Sequence, residues 1–302
     1  MNNLKRILFP CIIMAGMLLL TGNAFAFGKP EVTVFVGQDM PVNSYILNDG
    51  TSIVVIDVQR SSKDGMALAE KIRATGLPLT QIIITHGHPD HYLGLGAMHA
   101  AFPKAEIVVA AAVIKQEIMG FTAWMEGQGW LEAEPAMKRK SAGFADGFDY
   151  AGLIKVAEAN FIRMSGGERL DLSIDYLPSE AEHITTVYSK SLNAVFSSDL
   201  VYDKVFLWMG PGVDAAHLTN WKTNLQKMQQ EAGKKLTIYP GHGPAGDTSL
   251  LQKNLDYIET FERVVAEADS KEEAIGKMKA AYPGWESADF LLQYSIDFHV
   301  QK

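Results

Sequence analysis

Three histidines and one aspartate fall within six residues of this chain, in a run that begins one residue after the apolar stretch 82–84. The four residues are His86, His88, Asp90 and His91. The β-branched stretch predicts a buried strand, and Gly87 and Pro89 prevent a regular element from continuing, so the four side chains are expected on a turn at the strand end. Imidazole and carboxylate suit zinc, and also iron or manganese. The run therefore predicts part of a metal site.

Further candidate ligands occur at three later places where strands are predicted to begin or end. His183 precedes a segment with strand character, Asp199 follows the run 194–198, and His242 lies in a loop rich in glycine and proline. A lone histidine before a strand is usually structural, and an aspartate after a strand can simply cap a loop. The alternative for the first run is a histidine-rich surface loop that binds no metal. In that case the later residues would not be metal ligands either. A single zinc ion needs only four ligands, so a larger number of ligands would indicate two metal ions.

Taken together and in this order, the motifs resemble the metallo-β-lactamase-fold hydrolase superfamily, over nearly the whole chain from about Val32 to the helix after His242. The resemblance implies an α/β protein with an αββα sandwich of the metallo-β-lactamase type. It also implies two zinc ions, with iron or manganese as alternatives. The residues that match the family's motifs are His86, His88 and His183 for one metal ion, Asp90, His91 and His242 for the other, and Asp199 between them.

The resemblance further implies a hydrolytic reaction. Two cations that share a water lower its pKa toward neutrality, and the bridging hydroxide would attack the carbonyl of a small ester or lactone. Asp90 would bind a metal ion and orient that hydroxide, while Asp57 would lie beneath the site. Tyr202, three residues after Asp199, would stabilise the developing oxyanion or protonate the leaving group. Simple packing in the core is the alternative for Tyr202.

The type of residue at position 199 separates the candidate reactions. β-Lactamases of this fold generally carry Cys or Ser where this chain has Asp199, whereas lactonases, glyoxalase II-like thioesterases and many phosphodiesterases keep the aspartate. Export disfavours a glutathione thioester, and no basic cluster that would clamp a phosphate is visible. Ester or lactone hydrolysis is therefore the leading hypothesis, with β-lactamase, phosphodiesterase and thioesterase activities as alternatives. An iron-dependent oxidoreductase and a non-catalytic metal-binding protein are the alternatives from other classes.

The first 26 residues have the pattern of a cleaved secretory signal. Lys5 and Arg6 precede an apolar run, 7–20, which is short for a membrane span, and the small-residue site 24–26 follows it. We therefore expect a periplasmic or secreted protein with no stable membrane anchor after cleavage. The only cysteine, Cys11, lies in this segment, so neither a disulfide nor a thiolate ligand is expected in the mature chain.

Residues 27–302 are predicted to form one domain. Without the signal, the formal net charge changes from −8 to −10, because two basic residues and no acidic ones are removed. No basic stripe is visible, so we expect a small-molecule substrate and no nucleic acid, while the oligomeric state is left open.

Several elements are predicted from the hydrophobic pattern of this domain. Strands are expected at 169–176 and 194–196 and a helix at 215–231, with C-terminal helices at about 248–299. The segment at about 113–160 is predicted to be an added helical insertion, rich in aromatic residues. It would be either a mobile lid that gives the substrate an apolar wall or a helical layer packed on the core.

Overall fold

The computed structural model describes residues 29–233, 235–285 and 288–301. The predicted signal segment lies outside these described residues. Where the structure describes the chain, two β-sheets face each other and helices cover both outer faces.

The first sheet contains six strands, which lie side by side in their chain order. They are β1 (Glu31–Val36), β2 (Asn43–Asn48), β3 (Ile53–Ile56), β4 (Leu79–Ile83), β5 (Glu106–Val109) and β6 (Ile154–Val156). The first three strands pair antiparallel, and from β3 to β6 the pairing is parallel. Parallel strands are covered on both faces, which explains why β3 is a continuous apolar run and is buried throughout.

The second sheet contains five strands in the order β11, β10, β9, β8, β7. Their bounds are β7 (Phe161–Arg163), β8 (Arg169–Ser173), β9 (Thr186–Ser189), β10 (Ala194–Tyr202) and β11 (Thr237–His242). Only β10 and β11 pair in parallel, and the other neighbours are antiparallel.

Nine α-helices are present in the described part of the chain. They are α1 (Ser62–Arg73), α2 (Pro89–Tyr92), α3 (Leu95–Ala101), α4 (Ala112–Gly127), α5 (Tyr150–Leu153), α6 (Ala215–Glu231), α7 (Ser249–Glu267), α8 (Lys271–Ala281) and α9 (Asp289–His299). No described helix combines the length and the apolar character needed to cross a membrane.

The buried apolar residues form three layers. Leu47 and Val54 of the first sheet meet Leu172 and Phe196 of the second sheet in the central layer. Helices α1, α3 and α4 contribute to the layer outside the first sheet, and α6 to α9 contribute to the layer outside the second. This arrangement confirms the predicted αββα sandwich.

Three segments differ from the predicted secondary structure. The segment 113–160 is helical only in part: α4 ends at Gly127, and turns and the short 3-10 helix Pro135–Met137 follow it. Gly129 adopts a φ of +74°, which a continuing helix does not allow. Strand β8 stops at Ser173 because its partner β9 begins only at Thr186. Strand β10 runs six residues beyond its predicted end, through an irregular register with β11 at Ser198.

Candidate metal centre

The candidate ligands come together at one end of the sandwich. His86 and His88 follow β4, Asp90 and His91 lie in the single turn of α2, Asp199 lies inside β10, and His242 is the last residue of β11. Pro89 at the start of α2 fixes the chain for a helical turn immediately after the strand.

Two glycines permit the close packing of this region. A Cβ atom at Gly87 would lie 2.8 Å from the Cβ of Glu117 in α4, and a Cβ atom at Gly241 would lie 1.8 Å from Oδ1 of Asp199. Any other residue at these positions would displace α4 or the Asp199 carboxylate. The glycine of the His-x-His run and the glycine before His242 are therefore part of how the site is built.

The first ligand group contains His86, His88, Glu180 and Asp199. One potential ligand atom of each residue lies within 4.8 Å of the others. Nδ1 of His88 is 2.9 Å from Oε1 of Glu180, and Nε2 of His86 is 3.6 Å from Oε2 of the same residue. His88 is the member that reaches the surface, with a side chain 26% exposed.

The second ligand group contains Asp90, His91 and His242. Oδ2 of Asp90 is 3.7 Å from Nε2 of His91 and 3.3 Å from Nε2 of His242. Asp199 lies against this group as well: its Oδ1 is 3.2 Å from Nε2 of His91, and its Oδ2 is 3.3 Å from Nε2 of His242. Asp199 therefore lies between the two groups, where the family resemblance puts it.

Several buried atoms in this centre have no hydrogen-bond partner. They are Nε2 of His86, Nε2 of His91, Oε2 of Glu180 and Oδ1 of Asp199. A buried polar atom without a partner costs about 1–3 kcal/mol. Four such atoms at one point, all of types that ligate metals, fit cations bound among them.

The outer nitrogen of each buried imidazole is held by the surrounding protein. Nδ1 of His91 is 2.7 Å from Oδ2 of Asp57, which also accepts from the hydroxyl of Thr85. Nδ1 of His242 donates to the carbonyl oxygen of Pro41 at 3.0 Å, and Nδ1 of His86 lies 3.2 Å from the hydroxyl of Ser198. These contacts leave each Nε2 lone pair directed at the centre, as metal ligation requires.

Asp57 and Ser198, which hold these rings, adopt the left-handed backbone region, with φ values of 58° and 49°. This conformation is unfavourable for residues other than glycine. The surrounding sheets keep both residues in it, and Asp57 lies beneath the site as predicted.

Charges of opposite sign are tightly coupled in the centre. Burial alone would raise the pKa of Asp199, but His91 and His242 together hold that pKa well below its ordinary value. Burial alone would lower the pKa of His242, but Asp199 and Asp90 raise it to about 10. Without metal ions, the centre therefore holds carboxylates compensated by protonated imidazoles.

Comparison with known proteins identifies the fold family. Residues 37–242 match the family described as the metallo-beta-lactamase superfamily. The chain belongs to this superfamily. It is 24% identical over 229 residues to the metallo-beta-lactamase type 2 of Bacillus cereus, a match that covers 76% of this chain and 77% of that protein.

Solved structures show the same fold. A metallo-beta-lactamase family protein from Thermus thermophilus matches with a TM-score of 0.62 and 15% identity, over 90% of this chain and 91% of that one. A metallo-beta-lactamase from Pontibacter korlensis matches with a TM-score of 0.54 and 19% identity, over 76% of this chain and 94% of that one. With its two buried ligand groups, this chain is a metal-dependent hydrolase of the metallo-beta-lactamase superfamily.

His183 is the one predicted ligand that the structure does not bring into either group. Its side chain is 39% exposed, and its Nδ1 lies 2.6 Å from Oε1 of Glu117 in α4. Glu180, three residues earlier in the same loop, occupies the place beside His86 and His88. The loop has no helix or strand to fix its periodicity, so the sequence pattern does not show which of its residues points inward.

The predicted catalytic residue Tyr202 contacts the ligands directly. Its hydroxyl donates to Oδ2 of Asp199 at 2.6 Å, and its ring stacks on His242 with centroids 4.8 Å apart. The side chain is fully buried. In this structure Tyr202 therefore holds a ligand carboxylate in place.

Replacing Tyr202 by phenylalanine removes that hydrogen bond and keeps the stacked ring. We expect kcat to fall about tenfold, because a hydrogen bond to a charged group contributes roughly 1.5–3 kcal/mol. Steady-state kinetics on protein of known metal content checks this, and the metal stoichiometry should not change. An unchanged kcat would show that the Tyr202 hydroxyl does not contribute to catalysis and that the side chain only packs in the core.

Proposed function

We propose that the protein is an exported hydrolase of small esters or lactones that works with two metal ions. The observation that carries the proposal is the position of Asp199, whose carboxylate lies within 3.3 Å of nitrogen atoms of both His91 and His242 while belonging to the first ligand group. A carboxylate shared in this way suits a pair of cations. Two bound divalent cations would supply a water that ionises near neutral pH and positive charge for the developing oxyanion.

The chain's own residues complete this chemistry. Asp90 sits beside His91 and His242, with its Oδ2 3.3 Å from Nε2 of His242, so it can orient the attacking water. Asp57 and the carbonyl of Pro41 keep the two imidazoles in fixed orientation. The partly exposed edge of His88 marks the side from which a substrate reaches the centre.

The surface next to His88 supports an uncharged, partly apolar substrate. An aromatic row starts at Phe121, whose ring centroid is 6.5 Å from that of His88. Trp124 and Trp130 extend the row, with successive centroids 5.3 and 4.8 Å apart, and their side chains are 46% and 59% exposed. Among the described residues, the ion pairs of the ligand carboxylates are all with histidines. A substrate with little charge is therefore a better match to this surface than an anionic one.

Replacing Trp124 by alanine removes the middle ring of the aromatic row. We expect KM for an aryl ester to rise about fivefold with kcat nearly unchanged, because binding remote from the reacting atoms is lost. Phe290→Ala is the matched control, since Phe290 is an equally exposed aromatic residue on α9, outside the second sheet. Equal KM values for the Trp124→Ala variant and the unmodified protein would show that the row does not bind substrate.

β-Lactam hydrolysis is the second candidate, because the relative from Bacillus cereus is named a metallo-beta-lactamase. A substrate panel tests both functions on protein that begins at residue 27 and has a known metal content. The panel contains a lactone, an aryl ester, a thioester, a bis-aryl phosphate and a cephalosporin. Preferential turnover of the lactone or ester supports the proposal, and preferential turnover of the cephalosporin replaces it with the second candidate.

The proposal that the enzyme is exported rests on the sequence of residues 1–26. Determining the N-terminus of the protein made from the full chain tests it. Cleavage after Ala26 with recovery from the periplasm or medium supports export, and an intact N-terminus opposes it.

A further inference from the structure

Glu180 is a buried carboxylate with two imidazoles beside it and no cationic side chain of lysine or arginine among its described ion pairs. Its Oε1 lies 2.9 Å from Nδ1 of His88 and 3.5 Å from the hydroxyl of Tyr202. Its Oε2 forms no hydrogen bond, although the side chain is completely shielded from solvent. A structural carboxylate that only anchored His88 would need just one oxygen in contact, so Oε2 requires another explanation.

The free oxygen of Glu180 faces a nitrogen that is also free. Nε2 of His86 lies 3.6 Å from Oε2 and has no hydrogen-bond partner. This separation is too long for a hydrogen bond. Two ligands at about 2.1 Å from one tetrahedral metal ion lie roughly 3.4 Å apart, so the pair is spaced as ligands of a common ion are.

His183 is held away from this position. Its Nδ1 is paired with Glu117 of α4, and its side chain is 39% exposed. The contact with Glu117 leaves Nε2 of His183 free, but His183 belongs to neither ligand group. Glu180 occupies the place beside His86 and His88. The observed geometry therefore favours the carboxylate over the imidazole.

We propose that Glu180 is a ligand of the first metal ion, in the place that the sequence pattern predicts for His183. Its carboxylate would raise the affinity of this position for manganese or iron relative to its affinity for zinc. The inference rests on the proposed dinuclear function. With Asp199, the first group offers two nitrogen and two oxygen donors. Carboxylate oxygen favours harder cations such as manganese and iron(II) over zinc.

Metal titration of matched variants tests the proposal without relying on catalysis. The metal-free protein starting at residue 27 is titrated with Zn²⁺ and with Mn²⁺, and bound metal is counted by equilibrium dialysis and elemental mass spectrometry. We expect two equivalents for the unmodified protein. Glu180→Gln should keep one equivalent and bind the other at least about tenfold more weakly.

The chain provides two controls in the same loop. Glu182 is exposed and pairs with His217, so Glu182→Gln removes a carboxylate two residues away without touching the centre. His183→Ala removes the ligand that the sequence pattern predicts. Both variants should bind two equivalents with affinities within about twofold of the unmodified protein. Glu180→His should restore the second zinc equivalent and weaken manganese binding at that position by about tenfold.

A cobalt-loaded sample gives an independent spectroscopic check. The Co²⁺ ligand-field spectrum should change in Glu180→Gln and stay unchanged in Glu182→Gln. If Glu180→Gln does not fold, Glu180→Asp replaces it, because this variant keeps the negative charge on a side chain that is shorter by one methylene group. We expect Glu180→Asp to weaken the binding of the same metal equivalent.

The outcomes separate this inference from the proposed function. Two tightly bound equivalents and an unchanged spectrum in the Glu180 variants, or the loss of one equivalent in His183→Ala, would overturn the role of Glu180 while leaving a dinuclear enzyme. An unmodified protein that binds no stoichiometric metal would instead overturn the proposed function itself.

Discussion

Replacing Asp199 by asparagine is expected to lower kcat/KM by about a thousandfold, which corresponds to roughly 4 kcal/mol. The amide has nearly the same shape as the carboxylate but no charge, and its NH₂ group would face Nε2 of His91 or of His242, each within 3.3 Å of the present oxygens. Both metal positions should weaken, because the carboxylate lies against ligands of both. Kinetics and metal counting on the same preparation measure the two effects.

Asp203→Asn provides the matched control for this variant. Asp203 is also a buried aspartate in the same region, but its carboxylate pairs with Lys253 at 3.6 Å and belongs to neither ligand group. We expect its kcat/KM to stay within about threefold of the unmodified protein. An Asp199→Asn variant that keeps two metal ions and full activity would show that Asp199 is not shared between them.

Local signals in the sequence are enough to predict elements whose ends are fixed by their own residues. Helix α6 has the predicted bounds, 215–231. Asp214 caps its first turn, with the side chain accepting from the backbone N–H groups of Ala216 and His217. A helix cap needs only neighbours along the chain, so the sequence shows it directly.

The extent of β10 depends on contacts that the sequence does not show. Its predicted end at Phe196 was wrong, because the polar run Ser197, Ser198, Asp199 ends the apolar stretch 194–196 without ending the strand. The strand continues because the parallel neighbour β11 pairs with it through an irregular register, with Ser198 in the left-handed region. That same irregularity brings Asp199 to the metal centre.

The predicted ligands also separate into those that the sequence predicts correctly and one that depends on contacts the sequence does not show. Six of the seven predicted ligands lie in the two groups, because they lie on or directly after the strands β4, β10 and β11 or in the single turn of α2. The loop before β9 carries Glu180, Glu182 and His183 within four residues, and which of them faces inward depends on His88, Glu117 and His217 from other elements. These tertiary contacts select Glu180.

Removing the metal ions is expected to lower the melting temperature by an amount that increases with pH. A ligand present at a thousand times its Kd stabilises a protein by about 4 kcal/mol per site. For a chain of this size the shift should be on the order of 10 °C. The melting temperature should fall because four buried atoms of the centre have no hydrogen-bond partner, and removing the cations would remove the partners that these atoms have in the metal-bound protein.

The pH dependence follows from the histidines. In the metal-free protein the pKa of His242 is raised to about 10, and that of His91 is well above its ordinary value, because buried carboxylates lie against both. A raised pKa stabilises the folded state fully below the unfolded value of about 6.5, and this contribution is lost as pH rises through the folded value. The metal-free protein should therefore lose stability between about pH 6.5 and 10.

Metal binding has the opposite dependence, because a proton on Nε2 of His91 or His242 must leave before that atom can ligate. Affinity should rise about tenfold per pH unit for each proton displaced. Melting curves at about pH 6.5, 7.5 and 9, with and without metal, should diverge with increasing pH, and calorimetry in buffers of different ionisation enthalpy should count the released protons. A melting shift that is the same at all three pH values would mean that both imidazoles are neutral in the metal-free protein, and that its buried carboxylates are compensated in another way.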